Sequence, residues 1–144
     1  GLREKTLAAA TRLNGATWVL VYSCEKAGAE ILGGPDTQVI TMPCVAMLPP
    51  AFIDFALSRR LADGVMLAGC AEGDCYFRLG DEWTRQRLAG QRDPYLRSRV
   101  QRDRLVTSWL PGVSTRRRQR ALSQFIDGLR ALPKTDNERT DKVE

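Results

Sequence analysis

The chain contains no histidine. That absence removes the usual base of serine and cysteine triads, Rieske-type ligation and the imidazole ligands of most catalytic zinc sites. Nor does any apolar run approach the roughly 20 residues a helix needs to cross a bilayer; the longest, Thr17 to Tyr22, is of strand length. Position 1 is Gly in place of Met, and the residues after it are polar and helical in character. The expectation is therefore no signal peptide and a chain excised from something larger. Cysteine is limited to four, and 144 residues suffice to bury one core without disulfides. A reducing, cytoplasmic compartment is expected, where clustered cysteines bind metal or do redox work. Any chemistry must use Cys, carboxylates or a cofactor.

Charge is present and unevenly spread. Between Arg85 and Arg120 lie eleven arginines against Asp93 and Asp103, a local surplus of nine positive charges, although the whole chain is only +5. Such a window reads either as a solvated face or as a docking surface for an acidic partner or nucleic acid.

The elements alternate. Residues 1–15 read as an Ala-rich helix or linker whose weak apolar face is Leu2, Leu7, Ala8 and Leu13, stopped by Asn14-Gly15. Thr17 to Ser23 is a β-branched and aromatic run suited to a strand buried on both faces. A short helix over Ala27 to Leu32 precedes a second strand, Val39 to Met42. Pro49-Pro50 suits a helix start, and Phe52, Ile53, Ala56, Leu57 and Leu61 recur at helical spacing towards Asp63-Gly64. Gly64 to Ala68 is a third strand, with Gly64 read as a plain turn glycine. Glu72 to Leu79 and Glu82 to Leu88 read as helical, and residues 89–102 as a polar loop. Leu105 to Trp109 is a fourth strand, and Ser114 caps a last helix with Leu122, Phe125, Ile126 and Leu129 on one stripe. The tail 133–144 is charged and expected to be disordered. The alternation predicts an α/β domain over 16–132: a four-stranded parallel sheet of flavodoxin-like order 2-1-3-4 with helices on both faces.

On that frame Cys24, Cys44 and Cys70 each follow a strand, and Cys75 lies five residues beyond Cys70. Carboxyl ends of parallel strands share one edge, where ligands bind, so the four thiols are expected to meet in space. Four thiolates without imidazole suit an iron-sulfur cluster or zinc. Gly69 and Gly73 would let backbone amides approach sulfur.

The block Ala62-Asp63-Gly64-Val65-Met66-Leu67-Ala68-Gly69-Cys70-Ala71-Glu72-Gly73-Asp74-Cys75 resembles the signature A-D-G-V-x-x-x-G-C-x-x-G-D-C of the delta subunit of methyl-viologen-reducing hydrogenase. Val19 to Cys24, Met42-Pro43-Cys44 with Pro49-Ala51-Phe52, and Leu105 to Leu129 are similar to further segments of that family. Tyr76 stands where the family usually has His, and Val45-Ala46-Met47 where it usually has Ser-Gly-Arg. The resemblance implies a [2Fe-2S] cluster on Cys24, Cys44, Cys70 and Cys75. It implies electron transfer from a hydrogenase-like or ferredoxin-like donor to a flavin-containing or heterodisulfide-reductase-like acceptor, in a subunit not catalytic alone. Docking of the redox partner is expected through the Arg-rich 85–120 region, and Glu72 and Asp74 are read as helix-start carboxylates.

Two alternatives stay open. One is a zinc-stabilised basic module stacking Trp83, Tyr95 and Trp109 with Arg on nucleic acid or an acidic protein, although no nucleic-acid motif is present. The other is a thiol redox protein using Cys70 and Cys75, whose spacing departs from Cys-x-x-Cys.

Overall fold

A computed structural model describes residues 2–12, 17–27, 29–34, 36–45, 48–69, 86, 88, 89, 96, 101–110 and 114–132. Four strands, β1 (Val19–Cys24), β2 (Thr37–Met42), β3 (Gly64–Gly69) and β4 (Leu105–Trp109), form an all-parallel sheet of order β2-β1-β3-β4. This is the expected flavodoxin-like order. The central pair, β1 and β3, is buried at every position, whereas β2 and β4 keep half-buried positions. Continuous apolar runs thus occupy the middle and mixed runs the edges, as covering of both faces requires.

Side-chain alternation sends the two halves of the core to opposite faces. Leu20, Tyr22, Cys24, Val65 and Leu67 pack under α1 (Leu2–Arg12) and α2 (Pro50–Ser58). Val19, Val21, Met66 and Ala68 pack under α3 (Thr115–Ala131) and a short 3-10 turn, Ala29–Leu32. The expected helix over Ala27 to Leu32 is instead two 3-10 turns, Glu25–Ala27 and Ala29–Leu32. Leu122 and Leu129 of α3 are buried and Phe125 and Ile126 pack beside them, the stripe anticipated from spacing. Ser114 stands at the N-cap but its side chain makes no cap hydrogen bond.

Three expectations need correction. α1 buries Thr6, Ala9 and Ala10, leaves Leu2 and Leu7 half-buried and exposes Ala8. Small residues let the helix approach the sheet closely, and the Thr6 and Tyr22 hydroxyls share a 2.8 Å hydrogen bond in that contact. α2 stops at Ser58, short of Asp63, because Arg60 turns left-handed (φ 56°). The Leu61 amide then donates to the Ala56 carbonyl and the Arg60 amide to that of Leu57, a Schellman closure with Arg where Gly is usual. Gly64 serves close packing: a Cβ there would lie 2.6 Å from Leu129 Cδ1 and 2.7 Å from Phe125 Cζ.

The amino edge of the sheet is tied by Asp63. Its carboxylate accepts the Trp18 amide (2.7 Å), its own amide donates to the Trp18 carbonyl, and its carbonyl accepts Arg104 Nη1. The expected helices over 72–88 and loop 89–102 fall mostly outside the described residues. Within them Leu96, 3% exposed, belongs to the core. A lone leucine in a polar segment carries no periodicity by which to find it. The tail 133–144 lies outside the described residues.

Candidate metal centre

A row of residues crosses the carboxyl edge. Cys24 pairs in register with Met42, Ser23 with Ala68, and Gly69 with Trp109, so Met42, Cys24, Gly69 and Trp109 close the four strands at one level. Met42, Cys24 and Trp109 all pack on the α1/α2 face. Cys44, two residues past β2, is buried in the same cluster. Cys24 and Cys44 are 2% and 1% exposed and form no disulfide. The Val45 amide, the next after Cys44, donates to Cys24 Sγ at 3.1 Å. The turn after β2 therefore folds back onto the sulfur at the end of β1.

Burial of two thiols with an amide aimed at one sulfur fits a sulfur-ligated group, because N–H donors to sulfur help set an iron-sulfur potential. Among the described residues no group of three or more His, Cys, Asp and Glu side chains could hold a metal ion. Cys70 and Cys75, with Glu72, Gly73 and Asp74, lie outside the described residues. Gly69, immediately before Cys70, ends β3 beside β1.

Two residues at this edge were not assigned to it by sequence. Arg118 is 2% exposed. Its Nη2 donates to the carbonyls of Gly69 (3.0 Å) and Leu110 (2.6 Å), and its Nη1 to that of Ser108 (3.2 Å). The guanidinium fork thus ties the ends of β3 and β4, sharing the Gly69 carbonyl with the Leu110 amide. Arg118 cannot belong to a docking surface, unlike Arg116, Arg117 and Arg120, which are exposed. A sequence signal existed: position 118 lies four residues before Leu122, on the apolar stripe of α3. The second residue is Trp109, whose indole fills the space above Gly69, where a Cβ would collide with Cζ3 and Cε3. Its Nε1 is buried and has no hydrogen-bond partner among the described residues.

A parallel α/β domain with buried thiols at its carboxyl edge, one already receiving an amide, is of the class that carries a metal or redox group. The chain belongs to the family "methyl-viologen-reducing hydrogenase, delta subunit", whose model matches residues 15–133. It is 27% identical over 128 residues to the vhc iron-sulfur subunit of the F420-non-reducing hydrogenase of Methanococcus voltae, covering 84% of this chain and 88% of that protein. It is 26% identical over 116 residues to the iron-sulfur subunit of the F420-non-reducing hydrogenase of Archaeoglobus profundus, covering 80% of this chain and 84% of that protein. No described helix is long and apolar enough to cross a membrane.

Proposed function

We propose that this chain is an electron-transfer domain that holds one [2Fe-2S] cluster on Cys24, Cys44, Cys70 and Cys75 in a reducing, cytoplasmic setting, with residues 16–132 as the working unit. It relays single electrons from a hydrogenase-like or ferredoxin-like donor to a flavin-containing or heterodisulfide-reductase-like acceptor. The observation that carries this is the Val45 amide on Cys24 Sγ, beside buried Cys44, at the edge where β3 delivers the chain to Cys70. The relatives named as iron-sulfur proteins of hydrogenases support it.

When bound, such a cluster supplies one reversible electron. The chain's own part is ligation by thiolates, exclusion of water by the α1/α2 core, and amide donation to sulfur. No residue is assigned a catalytic role. Docking is proposed on Arg116, Arg117 and Arg120, which begin α3 just beyond the carboxyl end of β4, the edge at which β1 ends in Cys24, although α3 covers the opposite face of the sheet.

Anaerobic purification tests the proposal. Expected are a coloured protein, about two irons and two sulfides per chain, and a paramagnetic signal on one-electron reduction. Each single Cys→Ser change at 24, 44, 70 or 75 should bleach or destabilise the cluster. The sheet should largely remain, because its core is Val, Leu and Ile. A variant at any one position that keeps a full, spectrally unchanged cluster removes that residue from the ligand set. Colourless protein with about one zinc per chain would replace this function with the zinc-stabilised basic module.

A further inference from the structure

We propose that Arg118 is a positioning residue of the cluster site: by clamping the carbonyl of Gly69 it fixes the peptide from which the chain sets out towards Cys70, and so sets how firmly the cluster is held. The inference rests on the iron-sulfur function proposed above, in which Cys70 is a ligand. Arg118 acts through the backbone and needs no contact with sulfur.

The link is covalent. The Gly69 carbonyl and the Cys70 amide nitrogen belong to one planar peptide group, so whatever fixes the carbonyl also fixes the plane of that peptide. Two donors from different elements meet on this oxygen: Arg118 Nη2 of α3 at 3.0 Å and the Leu110 amide, next after β4, at 3.3 Å. The same Nη2 donates to the Leu110 carbonyl at 2.6 Å, and Nη1 to the Ser108 carbonyl at 3.2 Å. Three carbonyls from two strand ends thus converge on one rigid, planar fork.

This peptide needs an outside clamp more than most. Glycine has the most permissive backbone of all residues and holds its own peptide plane least firmly. A stiffer residue does not fit at 69, because a Cβ there would collide with the Trp109 ring. Conformational freedom that close packing imposes at Gly69 is therefore removed from α3. Water at an open sheet edge would satisfy the same carbonyls without burying a charge, which is costly. What water does not supply is fixed geometry. Arg118 is 2% exposed, whereas Arg116, Arg117 and Arg120 of the same helix are exposed.

The test compares Arg118→Met and Arg118→Lys in the full chain, loaded anaerobically, with Leu122→Val as a control that loosens α3 one turn further on and leaves the clamp intact. Denaturant midpoints of the metal-free proteins rank their stabilities. The readouts are the rate at which a ferrous-iron chelator strips iron from the reduced protein and the shape of its paramagnetic signal. Residues that orient a metal's ligands are typically worth about 10–100-fold in metal affinity, so Arg118→Met should lose iron faster by that factor and show an altered signal. Arg118→Lys keeps the charge but not the fork and should fall between Arg118→Met and wild type. Leu122→Val should keep the wild-type rate and signal even where its midpoint falls as far. Loaded Arg118 variants that lose iron no faster than a control of equal stability overturn the inference and leave the iron-sulfur function standing. A wild-type rate in Arg118→Lys also overturns it, by assigning the effect to charge in place of the fork. If Arg118→Met does not fold, Arg118→Lys decides against the same control. Wild type that takes up no iron removes both readings.

Discussion

Tyr22 is fully buried in the middle of β1, and burial pushes its hydroxyl up to about 12, with the Thr6 hydrogen bond opposing the shift. The folded state thus keeps the phenol neutral where an unfolded chain, titrating near 10.0, has ionised it. Stability from this group is complete below pH 10 and is lost as pH rises towards 12, at about 1.4 kcal/mol per pH unit. Denaturant melts from pH 9 to 12 should show that slope, and Tyr22→Phe should remove it; an equal slope in the variant would assign the alkaline loss to other groups. Trp109 likewise places one polar atom, its Nε1, inside the structure. Neither environment was legible in the sequence. Thr6 reads as an ordinary helix residue, and Trp109 as a strand aromatic, until the fold brings their neighbours within reach.

At the scale of elements, α3 does two jobs with one stretch of arginines. Arg116, Arg117 and Arg120 are exposed in its first turns, where the helix dipole disfavours cations and no acidic residue offsets them. Their placement therefore costs helix stability. It is consistent with retention for binding. Arg118, one residue from Arg117, instead joins β3 and β4 through three carbonyls. Three residues on, the stripe continues with Ala121 and Leu122, and further along Leu129 and Phe125 press on Gly64. Gly64→Ala should cost about 1–2 kcal/mol by overpacking. Measured as a lower denaturant midpoint at unchanged m-value, that loss should be partly recovered by Leu129→Val in the same chain. No recovery would mean that Phe125 alone sets the limit.

For the whole molecule, the carboxyl edge holds Cys24 and Cys44, the Arg118 tie, Trp109 and the start of the basic helix. A positive rim at the edge of the proposed redox site suits electrostatic steering of an acidic partner. Changing Arg116, Arg117 and Arg120 together to Glu should lower the second-order rate of electron exchange with an acidic ferredoxin at least tenfold at low salt. The two proteins should converge as ionic strength shortens the screening length. Stopped-flow rates across a salt series would check this, and equal rates at low salt would place docking elsewhere. The amino edge, held by Asp63 to Trp18, serves as the structural counterpart of this end.

Strand number, strand order and the placement of Cys24 and Cys44 at one edge were determined by sequence alone, because they follow from apolar periodicity, turn residues and the handedness of parallel crossovers. Those are local or topological signals, and α/β alternation leaves few ways to satisfy them. The end of α2 at Arg60, the burial of Ala9 and Ala10 in place of Leu7, and the division of labour between Arg117 and Arg118 were decided only by the tertiary structure. Each depends on how far one element can approach another. That distance is set by what fills the space between them, an indole over Gly69 or Phe125 against Gly64, and residues so far apart in the chain carry no shared period in which it could be read.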